Sequence, residues 1–83
     1  MEQQNHMQVV FDAKSENEGL ARMLVTAFMS EMNPTLEQIA DVKTAVSEAV
    51  TNAIIHGYEN EMESVRLSCD RDGQQLVVTV EDK

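Results

Sequence analysis

Tryptophan is absent from this 83-residue chain, proline and cysteine occur once each, and glycine three times. A lone Cys69 excludes an internal disulfide framework. The sequence shows no internal repeat, low-complexity tract or domain boundary. Aromatic side chains make up 4% (two Phe, one Tyr), so the core must come from aliphatic residues. The six methionines suit an adaptable core or a contact surface. Cations are also scarce: six Lys and Arg stand against fifteen Asp and Glu, a formal charge of −9. That balance disfavours a nucleic-acid backbone or an anionic membrane as the main partner. It also means that a phosphate-bearing ligand needs a metal ion or helix dipoles to offset repulsion. Neither a signal peptide nor a long apolar run precedes the folded part, which gives a cytoplasmic expectation.

What is present is ordinary globular material. The hydrophobic fraction is 42%, and the length allows one small domain, residues 1–83, with a modest core. Met1 to His6 are polar and expected to lie loose. "MQVVFDA" (Met7 to Ala13) reads as a strand with Met7, Val9 and Phe11 on one face. Ser15 and Glu18 have the spacing of a capping box, and Leu20, Met23, Leu24, Ala27, Phe28 and Met32 form the stripe of a first helix. That helix is expected to stop near Asn33, ahead of Pro34. Thr35 and Gln38 repeat the capping signal. A second helix then carries Leu36, Ile39, Val42, Val46, Val50, Ala53 and Ile54 on its apolar side and is expected to end near His56 and Gly57.

"YENEMES" is a polar connection, after which "SVRLSCD" and "QLVVTVED" alternate as strands about an Asp-Gly turn. Val65, Leu67 and Cys69 should point inward from the first, and Leu76, Val78 and Val80 from the second. Strand, helix, helix, strand, strand implies an α+β fold with two helices packed on one face of a small antiparallel sheet.

The second helix carries something more. In "SEAVTNAIIHGY" (Ser47 to Tyr58), Glu48, Asn52 and His56 recur every fourth position, away from Val46, Val50 and Ala53. An ordinary solvated face explains each of these residues singly. Asn52 is the least comfortable, being a poor helix former, while His56 suits a helix C-terminus. On the last strand the parity of Leu76, Val78 and Val80 turns Asp82 inward as well. A carboxylate there either bends out to water at a fraying end or needs a partner, such as a ligand amino group.

"EAVTNAIIHGY" resembles the N box, E-x-x-x-N-A-x-x-H/K, of the ATP-binding superfamily that includes gyrase, the heat-shock ATPase chaperones, histidine kinases and MutL. With "SENEGLAR" ahead of it, the chain is most similar to the serine-kinase anti-sigma factors, of the sporulation type, from about Met7 to Lys83. The resemblance implies a histidine-kinase-like ATPase fold, MgATP as cofactor, and roles residue by residue. Glu48 matches the general base that takes a proton from an attacking hydroxyl. Asn52 matches the amide that ligates Mg²⁺. Asp82 matches the carboxylate that accepts from the adenine amino group, and His56 supports the pocket. Arg22 falls where the family contacts its partner proteins, although its spacing from Glu18 also suits an exposed ion pair.

The family pattern continues into D-x-G-x-G, an ATP lid and further elements, of which "DK" alone is present here. The expectation is an N-terminal part of such a domain, truncated before the glycine-rich box, with weak or absent nucleotide binding. Two functions then stand side by side. One is an ATP-dependent protein-serine kinase that inhibits a sporulation sigma factor and phosphorylates an anti-anti-sigma protein. The other is an inactive, dimeric binding module; a stress-response anti-sigma kinase is a variant of the first. The family forms homodimers through this N-terminal region, and an exposed sheet edge would favour one here. Nucleic acid and membrane are not expected as direct partners.

Overall fold

The computed structural model describes residues 3–59 and 64–82. Strand β1 (Gln4–Asp12) leads to helix α1 (Asn17–Met29), a 3₁₀ turn (Ser30–Met32), helix α2 (Leu36–Glu59) and strands β2 (Ser64–Asp72) and β3 (Gln75–Asp82). The strands form one antiparallel sheet in the order β1-β2-β3. Both helices contact its inner face, as the alternation of the strands and the stripes of the helices require.

The core sits over β2. Val65, Leu67 and Cys69 have no exposed surface, and Val25, Val46, Val50, Ala53 and Ile54 close over them from the helices. Register places Met7 and Val78 beside Cys69, Val9 and Val80 beside Leu67, and Phe11 and Asp82 beside Val65. The outer sheet face is mostly polar, with a His6–Asp70 pair at 2.6 Å and an Arg66–Glu81 pair at 3.9 Å beside exposed Val10 and Val77. The hairpin turn is Gly73-Gln74, with Gly73 at φ +63°. A positive φ at the first of two central residues matches the strand twist and favours glycine.

Several local expectations are corrected. The strand starts at Gln4, because Gln4 and Asn5 pair with Asp72 and Arg71, so Gln4 to His6 belong to the sheet. The Ser15–Glu18 capping box does not form. The turn is held instead by Asn17 Nδ2 donating to the Asp12 carbonyl (2.9 Å) and Glu18 N to the Ser15 carbonyl (3.2 Å). The buried face of α1 is Ala21, Val25 and Met29, whereas Leu20 and Met23 lie on the exposed side. Small Ala21 lets α1 lie close to its neighbours, so residue size misleads about which face is core. Leu36 is exposed too. Helix α1 gives way at Met29 to the 3₁₀ turn, and the chain reverses at Asn33 in the left-handed region (φ 52°) before Pro34. Gly57 does not end α2, which runs on to Glu59 with Gly57 buried inside it. The polar connection over 60–63 and Lys83 lie outside the described residues.

Candidate functional site

Helix α2 is anchored at its start by the Thr35–Gln38 capping box. Gln38 N donates to Thr35 Oγ1 (3.0 Å), and Thr35 N donates to Gln38 Oε1 (2.9 Å). With Val46, Val50 and Ala53 fixed against the sheet, Glu48, Asn52 and His56 are held on the exposed side. Four residues advance a helix by about 400°, so each member of the line is turned some 40° further than the last. The line therefore winds around α2 from Glu48 towards the edge strand β3.

Helix and strand run side by side in the same direction. Val42 and Leu76 share a groove at one end, and His56 meets Asp82 at the other. From Val42 to His56 the helix rises about 21 Å. From Leu76 to Asp82 the strand rises about 20 Å. These near-equal lengths bring a strand-end carboxylate level with the third residue of the polar line. His56 Nδ1 and the Asp82 carboxylate form a direct contact through Oδ2. The Asp82 side chain keeps a quarter of its surface exposed and that of His56 more than half. The inward parity of Asp82 is thus met by a partner. Its second oxygen, Oδ1, still offers an acceptor.

Arg22 lies on α1, where Glu18 Oε2 stands 3.7 Å from its Nε, so the ion pair anticipated from the spacing is present. Arg22 also lines a groove between α1 and α2 of about 500 Å³, together with Ala40, Lys43, Thr44, Ser47 and Glu48. The structure thus brings Arg22, expected to contact partner proteins, and Glu48, the candidate base, into one groove. Lys43 carries no motif signal, and sequence reading missed it. Periodicity could have placed it on the α1 side of α2, but only once the packing of α1 was known.

On the β3 side of α2 lies a second groove of about 420 Å³. It is apolar, lined by Val42, Ala45, Val46 and Ala49 facing Leu76, Val78 and Val80. The free thiol of Cys69 belongs to neither groove. Burial and then the neighbouring Asp70 push its pKa up to about 11, so it stays protonated and inert.

A magnesium ion fits this wall in one way. No cluster of three His, Cys, Asp or Glu side chains placed to hold a metal ion occurs among the described residues. The exposed amide of Asn52 can supply one oxygen. One protein ligand suits an ion that keeps its waters and arrives bound to phosphates. Asn52 would hold the ion, whose chemistry is to offset phosphate charge. No helix among the described residues is long and apolar enough to cross a membrane.

Comparison with known proteins places the chain among related sequences. Residues 11–83 match the model of the histidine kinase-like ATPase domain. An anti-sigma F factor of Clostridium kluyveri is 53% identical over 78 residues, 94% of this chain and 55% of that protein. The anti-sigma F factor of Thermoanaerobacter sp. is 48% identical over all 83 residues, 58% of its length. That of Clostridium perfringens is 53% identical over 79 residues, 56% of its length. The chain therefore spans little more than half of these relatives. With the polar line of α2 ending on the β3 carboxylate, and this match over residues 11–83, the chain belongs to the family of histidine kinase-like ATPase domains.

Proposed function

We propose that this chain carries the base and adenine-side wall of a MgATP-dependent protein-serine kinase, and that the whole protein is a cytoplasmic anti-sigma factor. In this reading it holds a sporulation sigma factor inactive and phosphorylates a serine of an anti-anti-sigma protein. One observation carries it: Glu48, Asn52 and His56 wind around α2 and finish on Asp82. Glu48 accepts the serine proton as the serine oxygen bonds to the γ-phosphorus, and the bond to the leaving ADP oxygen breaks. Asn52 holds Mg²⁺, Asp82 Oδ1 accepts from the adenine amino group, and His56 orients that carboxylate. Arg22 contacts the partner proteins.

The names of the relatives support the anti-sigma part, and the family match supports the nucleotide part. The 83 residues hold no glycine-rich phosphate loop, so these residues alone should bind MgATP weakly or not at all. The apolar groove, and the edge of β3 that has no strand partner among the described residues, favour a second reading for these 83 residues, a dimeric binding module.

The test uses calorimetric titration with MgATP, on the 83 residues and on a protein of the relatives' full length that contains them. The longer protein should bind and phosphorylate. Its Glu48→Ala variant should lose phosphorylation by at least about a hundredfold while sigma binding stays intact. Unchanged phosphorylation in that variant would remove Glu48 as the base.

A further inference from the structure

Glu48 stands on a ridge between two grooves. One edge of the ridge falls towards β3, where Asn52, His56 and Asp82 follow the winding line. The other falls into the α1–α2 groove lined by Arg22, Lys43, Thr44 and Ser47. If the nucleotide occupies the β3 side, an acceptor hydroxyl must reach Glu48 from the opposite side, because in-line transfer sets attacking and leaving oxygens on opposite faces of the phosphorus.

The charges of that groove are unusual for this chain. Six cations serve a protein with fifteen acidic residues, yet Arg22 and Lys43 both line this one groove beside Glu48. The two are not equivalent. Arg22 is held by Glu18 at 3.7 Å, which offsets part of its charge. Lys43 is exposed and makes no ion pair among the described residues. Its strongly hydrated ammonium on a flexible stem suits a carboxylate that arrives from outside.

We propose that the α1–α2 groove is the entry for the acceptor segment, and that Lys43 is a specificity-determining residue that takes an acidic side chain close to the acceptor serine. This rests on the kinase reading above and adds the direction of approach and the chemistry of the acceptor. The hydroxyls of Thr44 and Ser47 line the same path and suit a polar segment. A basic acceptor would meet Lys43 and the partly offset Arg22 on entry, so the groove selects as well as binds.

The experiment uses a protein of the relatives' full length, its anti-anti-sigma protein as acceptor, and steady-state phosphorylation with a parallel MgATP titration. Lys43→Glu should raise KM for the acceptor about tenfold or more, the scale expected for reversing a rim charge. It should leave kcat at saturating acceptor and MgATP affinity within about twofold. Lys43→Arg should restore KM. A Lys substitution at one acidic position near the acceptor serine should raise KM for the wild-type kinase and lower it for Lys43→Glu. If Lys43→Glu phosphorylates with unchanged KM, or no acidic position shows this exchange, the groove is not the acceptor entry. If the wild-type protein neither binds MgATP nor phosphorylates, the kinase reading fails first and this inference falls with it.

Discussion

In the proposed site adenine would be recognised by a carboxylate that is already engaged, which makes Asp82 the sharpest place to test the proposal. Removing it with Asp82→Ala deletes an acceptor whose hydrogen bond, made by a charged group, is worth about 1.5–3 kcal/mol. In the free protein that carboxylate is held by His56, a pair with more than half of the imidazole exposed. Such exposed pairs contribute about 0–1 kcal/mol, so displacing or sharing the imidazole costs little. The difference leaves roughly 0.5–3 kcal/mol, which is a loss of affinity from about twofold to about 150-fold. The assay is calorimetry on a protein of the relatives' full length, with MgATP and with the inosine nucleotide, which lacks the amino group. Wild type should prefer ATP by a factor in that range, and Asp82→Ala should lose the preference. His56→Ala should change ATP affinity by about fivefold at most, and should change nothing when Asp82 is already Ala. An effect of His56→Ala that survives in the double variant would show that His56 acts on the nucleotide directly. Equal ATP and inosine affinities in wild type would refute the adenine assignment.

Cys69 links stability to alkaline pH. Its thiol pKa is raised to about 11 in the native state, so the native state keeps a proton that the unfolded chain begins to lose near pH 9. Stability is therefore full below that pH and falls by roughly 2–3 kcal/mol as pH rises from about 9 to 11. Denaturant titrations across that window should show the slope, and Cys69→Ala should flatten it. Thr35→Ala breaks the reciprocal cap of α2 and should cost about 1 kcal/mol, read as a fall in Tm of roughly 4–8 °C for a domain of this size. A Tm shift under 1 °C would mean that the cap does not hold the helix in solution. Light scattering of the 83 residues should give twice the monomer mass, since the outer edges of β1 and β3 have no strand partner among the described residues and the α2–β3 groove is open. A strictly monomeric sample would count against that.

Much of this was legible beforehand, and the failures have physical causes. Thr35 and Gln38 satisfy each other over three residues, so no distant packing is needed to form their cap. Ser15 and Glu18 have the same spacing, but there Glu18 N is taken by the Ser15 carbonyl and the Glu18 carboxylate faces Arg22, so the groups a cap would use are engaged elsewhere. Leu20 and Met23 look like core by size, yet the core of α1 is Ala21 and Val25. Helix packing rewards close approach as much as hydrophobic bulk. Gly57 reads as a stop signal and sits buried within α2. Tertiary burial there outweighs a helix cost of about 1 kcal/mol.

The sequence alone determined the α+β order, the inward faces of β2 and β3, and the line of Glu48, Asn52 and His56. These follow from periods of two and of about 3.6 residues, which are properties of the backbone. Only the tertiary structure decided what that line meets. The contact of His56 with Asp82 joins residues 26 apart in sequence. It depends on α2 and β3 running in the same direction over matched lengths. The groove that sets Arg22 and Lys43 beside Glu48 depends on which face α1 presents to α2. No local period encodes that choice, because it is made by the shapes that pack, and packing is settled when the whole core closes.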